Sequence, residues 1–319
     1  MNIQKKVSVL GGLLTFAILV SALVPTVSAK TNKIHVSHGS EGILVQTEYL
    51  TLKILDNSPN FIWWLGNQSS ADEIYQVNFH LIQEFFGSDS ILDNITELGG
   101  IAYIFKGNQW SVDIVESDAA VQVTLTLAGL SNGAMIQFII TVFEEDQTLP
   151  NTEIKGLSEV KIDIIVDNWH FSKDAKGYAI QTIISEMQHK HQMRIRNGTQ
   201  TENGNHHRTM QFENIEHGTK KVAYYKWATF ANVYSNDTLI DTIDVGTFYS
   251  IDIPRIPGPA SGSPNVFLTY PNYGNGYKLV HDPSVGVYPN SLSIPLSTIA
   301  ILGGLVMIVA IAVIIKKRK

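Results

Sequence analysis

The chain has no cysteine, so no disulfide braces it and no thiolate is present to act as nucleophile or metal ligand. Eukaryotic secreted domains usually carry disulfides, so an exported chain without them points to an archaeal or bacterial surface. Acidic residues are missing before Lys30 and after Asn290; all 29 lie between. Between the two ends no window shows a convincing 3.6-residue amphipathic stripe, which argues against a helical bundle or an alternating α/β fold. Proline is scarce until residue 254, after which eight of the eleven fall by Pro295.

The two ends are apolar. Lys5 and Lys6 precede an apolar run from Val7 to Val24, and Val27-Ser28-Ala29 supplies small residues for cleavage, so 1–29 reads as a signal peptide. Residues 294–315 carry no charge and are long enough, at about 1.5 Å per residue, to cross a hydrocarbon core of about 30 Å. Lys316, Lys317, Arg318 and Lys319 follow, which by the positive-inside rule is a cytoplasmic tail. The expectation is a single-pass type I protein in the plasma membrane, held in lipid by 294–315 with its ectodomain outside the cell.

Taking the two leader lysines and the four tail residues from the 23 basic residues leaves 17 against 29 acidic ones, so the ectodomain carries about −12. That sign repels phosphate backbones and excludes nucleic acid as a partner. Asn67, Asn94, Asn197 and Asn236 open N-x-S/T sequons, all on the exported side, and mark a glycoprotein.

Period two dominates the interior. Val121, Val123, Leu125 and Leu127 alternate with polar residues; Ile136, Phe138, Ile140 and Val142 follow after Asn132-Gly133, a hairpin signal. Further β-branched and aromatic runs occupy 43–55, 74–86, 101–106, 110–115, 160–171, 178–196, 206–215, 221–234, 238–252 and 265–270. The expected fold is all-β: one large antiparallel β-sandwich over 30–253, then a Pro/Gly-rich membrane-proximal segment over 254–293 with one or two short strands. Two smaller immunoglobulin-like sandwiches are the alternative, without the Cys-Trp-Cys spacing such domains show.

Several patterns touch on chemistry. Gly129-Leu130-Ser131-Asn132-Gly133 matches a nucleophile elbow, but a strand follows where a helix is needed. Leu149-Pro150-Asn151-Thr152-Glu153 lacks the glycine and the tail of a sorting signal. No carboxylate pair stands out for glycoside hydrolysis. Trp63 and Trp64, with Tyr270, Tyr273, Tyr277 and Tyr288 among Asn, Gly and Pro, offer rings that stack on sugars. Met187, His189, His191 and Met193 share a face if 178–196 is one strand, and His206, with Met210, can return across a hairpin. Imidazole with thioether is a copper-preferring donor set. The same stretch gathers Lys190, Arg194, Arg196, Arg208, Lys220, Lys221 and Lys226, a locally basic hairpin suited to acidic glycans or an acidic ectodomain.

The reading is a non-enzymatic surface glycoprotein whose sandwich binds a surface protein or glycan. A copper-binding protein using the 187–210 hairpin is the first alternative, and an exported glycan-processing enzyme the second.

Overall fold

The computed structural model describes residues 33–66, 73–149, 152–186, 191–202, 205–214, 220–250 and 265–289. The expected leader, the 294–315 span and the basic tail lie outside them; among the described residues no helix is long and apolar enough to cross a membrane.

The described chain is all-β. Its strands are β1 (His35–Gly39), β2 (Gly42–Gln46), β3 (Leu50–Leu55), β4 (Asn60–Leu65), β5 (Tyr75–Phe85), β6 (Leu98–Ile104), β7 (Ser111–Glu116), β8 (Ala120–Leu127) and β9 (Met135–Phe143). A two-residue pair follows, β10 (Gln147–Thr148) and β11 (Glu153–Ile154), then β12 (Glu159–Asp167), β13 (Gly177–Glu186), β14 (His191–Glu202), β15 (Asn205–Asn214) and β16 (Lys220–Ala228). The last are β17 (Phe230–Ser235), β18 (Thr238–Asp244), β19 (Gly246–Ser250), β20 (Asn265–Pro271), β21 (Lys278–His281) and β22 (Pro283–Val287). A 3-10 turn at Ile95–Glu97, capped by the Asn94 side chain, is the one helical element among the described residues.

Two antiparallel sheets result. The first runs β1-β2-β3-β4-β5-β13-β20-β19, with β6 beside the second half of β5. The second runs β14-β15-β16-β22-β12-β21-β17-β18, and β9, β8 and β7 extend from the other edge of β12. The short strand β22 therefore lies between β16 and β12 and is hydrogen-bonded on both sides.

Alternation explains the layering. Val160, Ile162, Ile164 and Val166 of β12 and Val121, Val123 and Leu125 of β8 project inward, and they share one buried cluster with Ile43, Leu52, Phe61 and Phe79 of the first sheet. This gives a sandwich-like arrangement over a common core. Each such side chain contributes about 1.5–3 kcal/mol relative to exposure. Trp63 reaches across: its ring meets Tyr75 of its own sheet and Phe212 of the other, and its indole N–H donates to Gly286 O at 3.2 Å. A second tie is polar. The Tyr270 hydroxyl on β20 meets His281 Nδ1 on β21 at 2.7 Å, and His281 Nε2 donates to Ala228 O at 2.9 Å.

Two expected long strands are each divided between the sheets. The run over 178–196 is β13 in the first sheet and β14 in the second. The run over 238–252 likewise splits at Val245, where β18 of the second sheet gives way to β19 of the first. Both crossings fall inside continuous β-branched and aromatic runs, so composition alone does not reveal the change of sheet.

Candidate functional site

The outer face of the second sheet is unusually polar and yet buried. On β15, Met210 and Phe212 point into the core, which turns His207, Thr209, Gln211 and Glu213 outward; all four are nonetheless buried. On β16 the core takes Ala223, Tyr225 and Trp227, and Tyr224 and Lys226 face out. Glu159 opens β12 on the same face, and Ser284 and Gly286 of β22 lie between the two strands.

His207, Thr209, Gln211, Tyr224, Lys226 and Glu159 line a pocket of about 270 Å³, bounded at its sides by Glu153, Lys155 and Ser158 and by Val287, Tyr288 and Pro289. At its base, Lys226 Nζ meets Glu159 Oε1 at 3.0 Å and donates to Glu153 O at 3.1 Å. Glu159 is held further: Ser284 Oγ donates to Oε1 at 2.6 Å and Lys155 N to Oε2 at 3.0 Å. A buried ion pair is tolerated only when its remaining hydrogen-bonding positions are met in this way.

The upper part is aromatic. Tyr224 and Tyr288 lie 5.0 Å apart between ring centroids, and Gln211 Nε2 donates to the Tyr288 hydroxyl at 3.1 Å. Lys221 Nζ stands 5.8 Å from the Tyr288 ring. Gly286 makes room for this: a Cβ there would lie 2.4 Å from the Tyr224 ring, so only glycine lets the tyrosine lie against β22. Gln211 Oε1 is buried and accepts no hydrogen bond within the described residues. A buried acceptor in a pocket wall calls for a donor from a ligand or a water.

Beside the pocket on the same face, Lys161 pairs with Asp163 and with Asp282 at 3.3 Å. Burial pulls the Lys161 ammonium below its ordinary pKa, against the opposing charge of Asp282.

The residues expected from sequence fall elsewhere. Met187 and His189 lie outside the described residues. His191 is opposite Asn214, and Met193 opposite Phe212, whereas His206 is opposite Thr201 at the other end of the ladder. Eight positions on β15 separate Asn214 from His206, about 27 Å at the rise of a strand, so this register does not bring His191 and His206 to one ion. Residues 178–196 are divided between the two sheets, as β13 up to Glu186 and β14 from His191. Among the described residues, no group of three His, Asp or Glu is placed to hold a metal.

Of the candidate sugar-stacking rings, Trp63 and Tyr270 are fully buried in the core. Trp64 faces the other side of the first sheet, also buried, where it lines a shallow groove with Leu44, Leu55 and Ile62. Tyr273 and Tyr277 are half-buried at one end of the molecule; Tyr273 meets the Tyr178 hydroxyl at 3.2 Å and packs edge-on to Phe171. Of Tyr270, Tyr273, Tyr277 and Tyr288, Tyr288 alone joins the pocket. Asn94 and Asn236 are exposed, Asn236 in the β17–β18 turn with φ of 46°. Asn197 lies on β14, and Asn67 is outside the described residues.

Gln211, Tyr224 and Glu159 carried no sequence signal as site residues. The one hint available was parity: Lys226 interrupts the run Tyr224-Tyr225-Trp227 on the face away from the core. No protein-family model matches the chain, and no curated protein is detectably similar to it in sequence.

Proposed function

We propose that the protein is an exported, type I membrane-tethered surface glycoprotein that binds a sugar residue of a neighbouring surface glycan in the Gln211–Tyr224–Tyr288 pocket, without catalysis. The observation that carries this reading is the unmet acceptor Gln211 Oε1 beside two tyrosine rings. A sugar presents hydroxyl donors on its edge and C–H bonds on its faces, and the wall offers a partner for each. Glu159 already accepts from Lys226, Ser284 and Lys155, which fits an anchor for the pocket wall better than a hydrolytic acid. The large acidic ectodomain, the exposed Asn94 and Asn236 sequons, the apolar 294–315 run and the basic tail support placement at the cell surface.

The full chain in lipid nanodiscs is to be applied to a glycan array, and each hit titrated by calorimetry beside Gln211→Leu. Removing one buried acceptor lowers affinity on the order of tenfold. Retention of no glycan, or equal affinity in the variant, overturns the reading. Protease added outside intact cells should remove the ectodomain and spare the basic tail; the reverse pattern overturns the topology.

A further inference from the structure

The alternation that sends His207 to the outer pocket sends His206 and Arg208 the other way, on the parity of the core residues Met210 and Phe212. At these positions the sandwich has reached its end, and the space between the sheets opens into a cleft of about 880 Å³. The cleft forms where the chain crosses from β18 to β19. Val245 N donates to Thr229 O at 2.8 Å, and Gly246 follows. A Cβ on Gly246 would lie 2.2 Å from Thr269 Oγ1, so glycine keeps the crossing tight against β20.

Arg208 is half-buried in the cleft wall. No carboxylate of the described residues stands within ion-pair distance of its guanidinium. It lies near the Tyr249 hydroxyl, whose pKa burial pushes up and Arg208 pulls back down. A partly desolvated cation with no carboxylate in contact is incompletely compensated, and an anionic ligand completes it. The guanidinium is planar with a fork of donors that fits a carboxylate or a sulfate in bidentate fashion. Thr229 and Thr247 line the same wall: the Thr229 hydroxyl donates to His206 O at 3.2 Å, and Thr247 Oγ1 accepts from the Trp227 indole at 3.3 Å, which leaves the Thr247 proton to donate. Asp244 stands exposed at the rim.

We propose that this cleft is a second ligand site, one that takes a singly charged oxyanion, a carboxylate or a sulfate ester carried on a sugar-sized ligand, with Arg208 as its primary contact. The volume admits more than a bare ion, and the threonine hydroxyls supply neutral partners for the remainder. Asp244 sets the charge limit: a doubly charged phosphate ester meets its repulsion more strongly than a monoanion does. The site shares no lining residue with the outer pocket, and its occupancy does not depend on that pocket binding a glycan.

The test titrates the full chain in nanodiscs with glucuronate, glucose 6-sulfate, glucose 6-phosphate and glucose, by calorimetry at constant ionic strength. Glucuronate or glucose 6-sulfate should bind saturably, glucose 6-phosphate more weakly, and glucose not at all. Arg208→Gln should lower the anion affinity on the order of tenfold to a hundredfold. Arg208→Lys retains the charge but not the fork and should fall between; it also decides the matter if Arg208→Gln does not fold. Asp244→Asn should narrow the gap between phosphate and sulfate. The proposal is overturned if no anion binds the wild-type chain at millimolar concentration, if glucose binds as well as glucuronate, or if folded Arg208 variants bind as the wild type does.

Discussion

Acid should weaken the tie between the sheets at His281. Its imidazole is neutral in the fold, with Nε2 donating to Ala228 O and Nδ1 accepting from the Tyr270 hydroxyl. Burial holds its pKa down at about 4, from an ordinary value of 6.5, and outweighs the Ala228 carbonyl and Asp282, which favour the charged form. The unfolded chain therefore takes up the proton first as the pH falls. Stability from this group is complete above about pH 6.5 and is lost as the pH drops toward 4, at about 1.4 kcal/mol per unit. The whole window is worth about 3 kcal/mol, of which about 2.5 is gone by roughly pH 4.5. Protonation also leaves Nδ1–H facing the Tyr270 oxygen, which must then turn its own proton away inside the core.

The assay is urea unfolding followed by tryptophan fluorescence at about pH 7.5 and about pH 4.5, for wild type and His281→Gln. Glutamine keeps one donor and one acceptor and does not titrate. The wild type should lose about 2.5 kcal/mol more than the variant between the two conditions. His80, also pushed down by burial and by Lys106, titrates in both proteins and cancels. Equal pH dependence in the two proteins refutes the reasoning, because no other difference between them titrates in that range.

Three further outcomes follow from buried geometry. Glu84, fully buried on β5, accepts from Ile101 N at 3.0 Å, Ser172 N at 2.8 Å and the Trp169 indole at 3.3 Å; Glu84→Ala strands three donors and should cost about 3 kcal/mol or more in a denaturant titration. Gly177→Ala places a Cβ 2.1 Å from Tyr270 O, where only backbone can yield, and should cost about 3 kcal/mol; Gly286→Ala meets the far end of the Tyr224 ring and should leave the melting temperature within a few degrees while weakening glycan retention.

Much of the sheet content was legible because each half-buried strand repeats its environment every second residue. The 121–127 and 136–142 alternation became β8 and β9, with Leu127 opposite Ile136 and Gly133 at φ of 81° in the turn between them. Three kinds of information were not legible. Changes of sheet between Glu186 and His191 and at Val245 fall inside continuous β-branched and aromatic runs, so composition did not mark them. Strand β22 was hidden by Pro283, which belongs to a proline-rich stretch but occupies a first-strand position that tolerates it. The pocket joins residues from β12, β15, β16 and β22, and its charges pair across 67 positions of sequence, from Glu159 to Lys226. Local patterns hold no record of such meetings. Tyr288 was visible as an aromatic near Asn and Pro, but its neighbours Gln211 and Tyr224 were not.

The central position of β22 bears on how the protein is made. Residues 283–287 are the last strand described, yet β16 and β12 cannot join until this strand arrives between them. A chain synthesised from its first residue exposes more than 250 residues before that closing piece emerges. Over that interval the outer sheet exists as two fragments with open edges, and contacts of such sequence separation form slowly. Synthesis should therefore outrun folding, and an escort that shields the edges of β12 and β16 would matter most in the moments before residue 287 emerges.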